Sequence, residues 1–172
     1  MNRIALAALA ALSLAACATP QPPPAAPAVD ASLSPQARWE AGQAAYLAWN
    51  ARQPGWKTTA SGLQYKVLKR APAAAPKPAP GATVTIHYTG TFIDGRKFDS
   101  SRDRGEPATF PLTQLIKGWQ EGVPMMRVGE RWLFAIPGDL AYGSRNRDPI
   151  PPNSALVFDI ELIAIPGEDA GG

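Results

Sequence analysis

Residues 82–92 read ATVTIHYTGTF, and 93–101 continue IDGRKFDSS. In the first string the apolar residues fall on every second position. Val84, Ile86, Tyr88 and Phe92 share one face, and Thr83, Thr85, His87, Thr89 and Thr91 take the other. A period of two is that of a strand with one face buried and one face wet. Asp94-Gly95 is a hairpin-type turn, and RKFDSS after it reads as a short returning strand that presents Phe98.

The same period recurs on both sides of this hairpin. Upstream, GLQYKVLKR (62–70) sets Leu63, Tyr65 and Val67 against Gln64 and Lys66. Downstream, RWLFAIP (131–137) alternates Trp132, Phe134 and Ile136 with Arg131, Leu133 and Ala135. ALVFDIELIAI (155–165) alternates Leu156, Phe158, Ile160 and Leu162 with Val157, Asp159 and Glu161. One stretch breaks the rhythm. In LIKGWQEGVPMM (115–126), Ile116, Trp119, Val123 and Met126 recur at helical spacing, and Pro124 is expected to shorten or distort that helix. The expectation is one α+β domain over 61–166, with about five strands and one short helix. APAAAPKPAP (71–80) has a linker's composition. We read it as a loop inside the domain, because the strand before it has no other sheet to join.

Ser34-Pro35 is a helix-start signal, an N-cap type followed by Pro at the first helical position. Trp39, Gly42, Tyr46 and Trp49 then define one helical face, and Pro54-Gly55 stops the helix, giving a separate N-terminal element over 34–56. This face either packs on its own domain or forms a seam with a partner. Residues 17–33 are rich in Pro and Ala and read as an extended tether, and 167–172 as a disordered tail.

The 17 Lys and Arg against 14 Asp and Glu leave +3, too little for a nucleic-acid groove. A single Cys excludes an intramolecular disulfide, and with a single His it excludes the usual zinc ligand sets. No metal or cofactor is expected. Any Ser-His or Cys-His chemistry would have to use His87, which lies on the face opposite Tyr88 and is read as structural.

Residues 1–16 read MNRIALAALAALSLAA, with Arg3 before an uncharged run too short for a transmembrane helix. Leu14-Ala15-Ala16-Cys17 resembles the lipobox of bacterial lipoproteins. That resemblance implies a signal peptide over 1–16, lipidation of Cys17 and attachment to a membrane from the periplasm. Ala18, in place of an Asp, leans toward the outer membrane. The alternative is a plain secretory signal with a chance Cys.

The strings VTIHYTGTFIDGRKFDSSRDRGEP, LIKGWQEGVPMMRVGERW, AYGS and IPPNSALVFDIELI, in this order, resemble the FKBP-type peptidyl-prolyl cis-trans isomerases. TTASGLQYKVLK (58–69) resembles the entry to that domain in the periplasmic and Mip-like branch. The resemblance covers about 61–165. It implies a curved antiparallel sheet wrapped around the short helix. It also implies rotamase activity on proline-containing polypeptides and a role in protein folding. By motif match, Tyr88, Phe98 and Phe158 are aromatic walls and Trp119 is the floor under the proline ring. Tyr142 donates its hydroxyl to a substrate carbonyl, and Asp99 holds Tyr88 or a nearby Arg. Leu115 and Ile116 form the rim and Ile150 the far lip. By pattern alone, each of these aromatics reads as core. Trp132 and Phe134 are left open, one of them being expected at the pocket.

Two departures from the family pattern stand out. Ala108 occupies a place where many members carry a large aromatic, which removes a wall and weakens the binding expected for macrolides of the FK506 type. The 143–150 segment is short and charged, which argues against loop-mediated chaperoning. Arg102, Arg104, Arg145 and Arg147 fringe the mouth with Asp103, Glu106 and Asp148, either as a solvated mixed-charge loop or as the source of a mild preference for acidic clients. A non-catalytic peptide-binding chaperone is the alternative function, and a self-associating scaffold through the N-terminal helix a third. The chain is read as a monomer, with a dimer through that helix as the alternative.

Overall fold

The computed structural model describes residues 32–167; Cys17, the stretch read as a signal peptide, and nearly all of those read as tether and tail lie outside them. Helix α1 is Pro35–Asn50. Strands β1 (Lys57–Thr58) and β2 (Gln64–Lys69) precede the ten-residue β3 (Thr83–Phe92). There follow β4 (Lys97–Ser100), β5 (Ala108–Pro111), helix α2 (Lys117–Gly122), β6 (Arg131–Ile136) and β7 (Leu156–Ala164). All pairings are antiparallel, in the order β1-β2-β6-β7-β3-β4, with β5 also on β3. The five expected strands are present. The two additional ones, β1 and β5, are too short to show a period of their own.

β3 alternates as read, with Val84, Ile86, Tyr88, Gly90 and Phe92 buried on one face. These residues join Leu112, Val123, Met126, Phe134, Ile136, Leu156, Ile160 and Leu162 in one core on the inner face of the sheet. α2 closes that core. Pro124 stops the helix as expected, and the chain continues as a 3-10 turn over Val123–Met125. α2 comes close to β6 because Gly118 and Gly122 face it. A Cβ at Gly118 would lie 2.5 Å from Ile136, and one at Gly122 2.5 Å from Phe134.

The 71–80 stretch joins two strands of the one sheet. Arg127 donates to the Ala75 carbonyl (2.7 Å), and the Val128 N–H to that of Pro76 (3.0 Å).

Ser34 caps α1, its hydroxyl accepting from the Ala37 N–H at 3.2 Å. The residues α1 buries are Gln43 and Asn50, one position along from the aromatic face; Trp39, Tyr46 and Trp49 are half-buried beside them. Asn50 donates to Gln64 (2.8 Å), and Gln64 donates to the Leu47 carbonyl (2.9 Å). Gln43 accepts from the Ala155 N–H (3.0 Å), and Glu40 from Asn153 (2.6 Å). Gln64 belongs to the outer row Gln64–Ala135–Val157–Thr91 that crosses β2, β6, β7 and β3. Gln64 is therefore buried although strand alternation points it outward, because α1 covers it.

Candidate active site

A cavity of about 810 Å³ opens between the inner face of the sheet and α2. Its lining includes Tyr88 of β3, Phe98 and Asp99 of β4, Phe110 of β5, Leu115, Ile116 and Trp119 around α2, Tyr142, and Phe158 of β7. The rings meet edge to face. Trp119 lies 5.3 Å from Tyr88 and 5.1 Å from Phe158, at interplanar angles of 77° and 88°. Phe98 meets Phe158 at 5.7 Å and 86°. Such T-shaped pairs add about 0.5–1.5 kcal/mol each beyond area burial, so they hold one another in place.

Phe98 and Asp99 are sequence neighbours, and a regular strand would send them to opposite faces. Both reach the cavity because β4 bulges. Gly90 pairs with Asp99 and Thr91 with Lys97, leaving Phe98 as the extra residue. Gly90 itself is a space-holder. A Cβ there would stand 2.7 Å from the Phe98 ring and 2.8 Å from that of Phe158.

Tyr88 donates to Asp99 at 2.5 Å. Arg104 donates to the other Asp99 oxygen at 2.6 Å and to the Tyr88 hydroxyl oxygen at 2.9 Å. Burial pushes the Asp99 carboxyl up, but its bonds from Tyr88 and Arg104 hold it below the usual carboxylate value. Burial and then Asp99 raise the Tyr88 phenol. A depressed carboxyl contributes stability above its unfolded value of about 3.9, and that stability is lost as pH falls through the lower folded value. The difference in melting temperature between wild type and Asp99→Asn should therefore narrow below about pH 4. A difference that persists unchanged at pH 2 would remove Asp99 from this triad.

The Leu115 carbonyl is taken by Gln120 (2.7 Å). The Ile116 N–H has no partner among the described residues, and neither does the Tyr142 hydroxyl. The Trp119 indole N–H is buried without a partner.

Of the residues singled out from the sequence, Tyr88, Phe98, Asp99, Leu115, Ile116, Trp119, Tyr142 and Phe158 meet at this cavity. Ile150 is not among the lining residues; it is buried in the core cluster to which Tyr88, Trp119 and Phe158 also belong. Neither Trp132 nor Phe134 reaches the cavity. Both are core residues, with Trp132 stacked on Tyr65 at 5.0 Å. Ala108 is not among the lining residues, whereas Phe110, two positions on, is; it sits opposite Val84 and 6.4 Å from the Tyr88 ring. Its alternation with Ala108 in ATFP was the available signal. His87 lies outside the lining, with Nδ1 3.1 Å from the Ser101 hydroxyl. Arg102 is also elsewhere, paired with Glu161 on the outer face at 2.8 Å.

Residues 75–163 match the family described as FKBP-type peptidyl-prolyl cis-trans isomerase. Residues 31–67 match the domain amino terminal to FKBP-type peptidyl-prolyl isomerase. The FKBP-type peptidyl-prolyl cis-trans isomerase FkpA of Aeromonas hydrophila is 55% identical over 127 residues, covering 74% of this chain and 47% of that one. The outer membrane protein MIP of Legionella longbeachae is 46% identical over 122 residues, covering 70% and 52%. The chain thus spans about half the length of these relatives. A crystal structure of a peptidyl-prolyl cis-trans isomerase from Pseudomonas syringae pv. tomato superposes with a TM-score of 0.71 at 32% identity, covering 78% of this chain and 98% of that one.

Proposed function

The chain belongs to the FKBP-type peptidyl-prolyl cis-trans isomerases, and on that premise we propose that it catalyses rotation about X-Pro peptide bonds in the cavity between sheet and α2. The observation that carries this reading is the convergence of the Tyr88, Phe98, Trp119, Tyr142 and Phe158 rings on one cavity.

Amide resonance sets a barrier of about 18–20 kcal/mol to rotation, while the two X-Pro isomers differ by only about 0.5–1 kcal/mol. No bond has to be made or broken. The protein has to bind the twisted amide better than the planar one. Twisting removes resonance and with it charge on the carbonyl oxygen, so a ring-lined, water-poor cavity favours the twisted form over the more polar planar form. Trp119 lies under the proline ring. Tyr88, Phe98, Phe110 and Phe158 surround the rotating carbonyl. The free Tyr142 hydroxyl and the free Ile116 N–H donate to the peptide's two flanking carbonyl oxygens. Asp99, tied down by Tyr88 and Arg104, fixes the Tyr88 ring and limits the charge near the bond.

Proline-limited refolding of a client, with an uncatalysed phase of about 10–100 s, should accelerate in proportion to the amount of this protein added. No acceleration with several X-Pro sequences would defeat the proposal and leave the peptide-binding chaperone. Tyr142→Phe should lower kcat/KM about two- to tenfold, the worth of one neutral hydrogen bond. An unchanged kcat/KM would remove Tyr142 from its role.

The same reading extends to place and partners. The leader over 1–16 directs export, Cys17 carries the lipid anchor, and the domain works on unfolded clients from the periplasmic side of the outer membrane. The lipobox-like string supports this, as does a relative whose name is outer membrane protein MIP. Palmitate labelling that disappears in Cys17→Ser tests it. Macrolides of the FK506 type would compete for the same cavity, which inhibition of refolding catalysis tests. The chain acts as a monomer, which sedimentation tests.

A further inference from the structure

The cavity's chemistry is not uniform. Its deep part is aromatic, but its mouth carries Lys117 on the α2 side and Arg145 and Arg147 on the loop after Tyr142. All three are exposed, and none lies within ion-pair distance of a carboxylate among the described residues. Two carboxylates share the lining. Asp99 is already neutralised by Arg104. That leaves Asp139 alone against three unpaired cations.

The arginines are held near the cavity rather than trailing in solvent. The Gly143 N–H donates to the Gly138 carbonyl (2.7 Å), and the Asn153 N–H to that of Gly143 (2.7 Å). Arg147 and Ile150 exchange two backbone bonds of 3.1 and 2.6 Å, which closes the loop's far end. Arg145 Nε donates to the Tyr142 carbonyl at 3.3 Å. The Arg147 guanidinium lies 5.3 Å from the Tyr142 ring centroid. Both cations thus flank Tyr142, whose hydroxyl has no partner among the described residues.

We propose that this cationic mouth makes the protein selective for X-Pro segments with an acidic side chain close to the proline. The inference rests on the isomerase reading of the same cavity. A cleft lined by one sign of charge raises the local concentration of the opposite sign, and exposed pairs at a rim favour the matched partner modestly and in a salt-dependent way.

The test is kcat/KM for peptide pairs that differ only in Glu against Gln, placed before the proline in one set and after it in another. At low ionic strength the Glu:Gln ratio should be about two- to fivefold in at least one set. It should shrink toward one in about 0.5 M salt, and it should fall in the Arg145→Gln/Arg147→Gln double variant. Lys117→Gln probes the opposite wall by the same ratio. Taking the ratio cancels general losses in the variants. A wild-type ratio of one or less in both sets, with the Gln peptides turned over, overturns the selectivity and leaves the isomerase reading intact. A ratio that the double variant does not lower overturns it as well. Turnover of neither peptide overturns the isomerase reading and this inference with it.

Discussion

Trp119→Ala is expected to destabilise the fold by about 3–5 kcal/mol and to reduce kcat/KM for X-Pro peptides by more than tenfold. The indole is 5% exposed and holds two T-shaped contacts, to Tyr88 and to Phe158. Truncation opens the floor of the cavity to water and loosens both walls, so the preference for a less polar, twisted amide weakens. A loss of this size is a large share of the 5–15 kcal/mol typical of a domain, so Trp119→Phe provides the second measurement. It keeps a ring on the floor and removes the indole N–H, which has no partner. Its stability should stay within about 1.5 kcal/mol of wild type, with activity between those of wild type and the Ala variant. Urea unfolding and peptide turnover check both. Full turnover by a folded Trp119→Ala protein would mean that the chemistry lies elsewhere.

Gly90→Ala is expected to destabilise by about 1–3 kcal/mol and to lower turnover. This runs against local preference, since glycine inside a strand is ordinarily worse than alanine by about 0.5–1 kcal/mol. Overpacking wins because the added methyl would meet two rings at 2.7 and 2.8 Å, and those rings are cavity walls. Gly122→Ala meets the same conflict against Phe134, behind the floor. There a helix-propensity gain of about 1 kcal/mol is again outweighed. A stabilised Gly90→Ala protein, read by thermal unfolding, would show that the Phe98 and Phe158 rings can move aside at little cost.

The strands were legible where one face is buried and the other wet, because period-two alternation is a local consequence of burial. β3 follows it residue by residue and β7 does so from Leu156 to Leu162, while β6 departs from it at Ala135, which is buried on the outer row. α2 was legible from Ile116 and Trp119 with Pro124 as its stop, and α1 from Ser34 and Pro35. The aromatic set was legible only through the family resemblance, since a ring in a strand reads as core. Ile150, carried across by the same match, is buried in the core cluster and is not among the lining residues.

What the sequence determined by itself is therefore the α+β class, the inward face of each long strand, and which residue types could make a dry site. Three matters were decided only in three dimensions. The bulge in β4 brings Phe98 and Asp99 to one face, since register depends on the partner strand. α1 buries polar residues beside its aromatic face, because the surface beneath it offers Gln64 of β2 and the backbone N–H of Ala155, just before β7, as partners. The Arg145–Arg147 loop turns its charge to the cavity mouth because its backbone is fastened at Gly138, Asn153 and Ile150. Alternation is a property of one segment; register, docking face and loop direction are properties of pairs of segments distant in sequence.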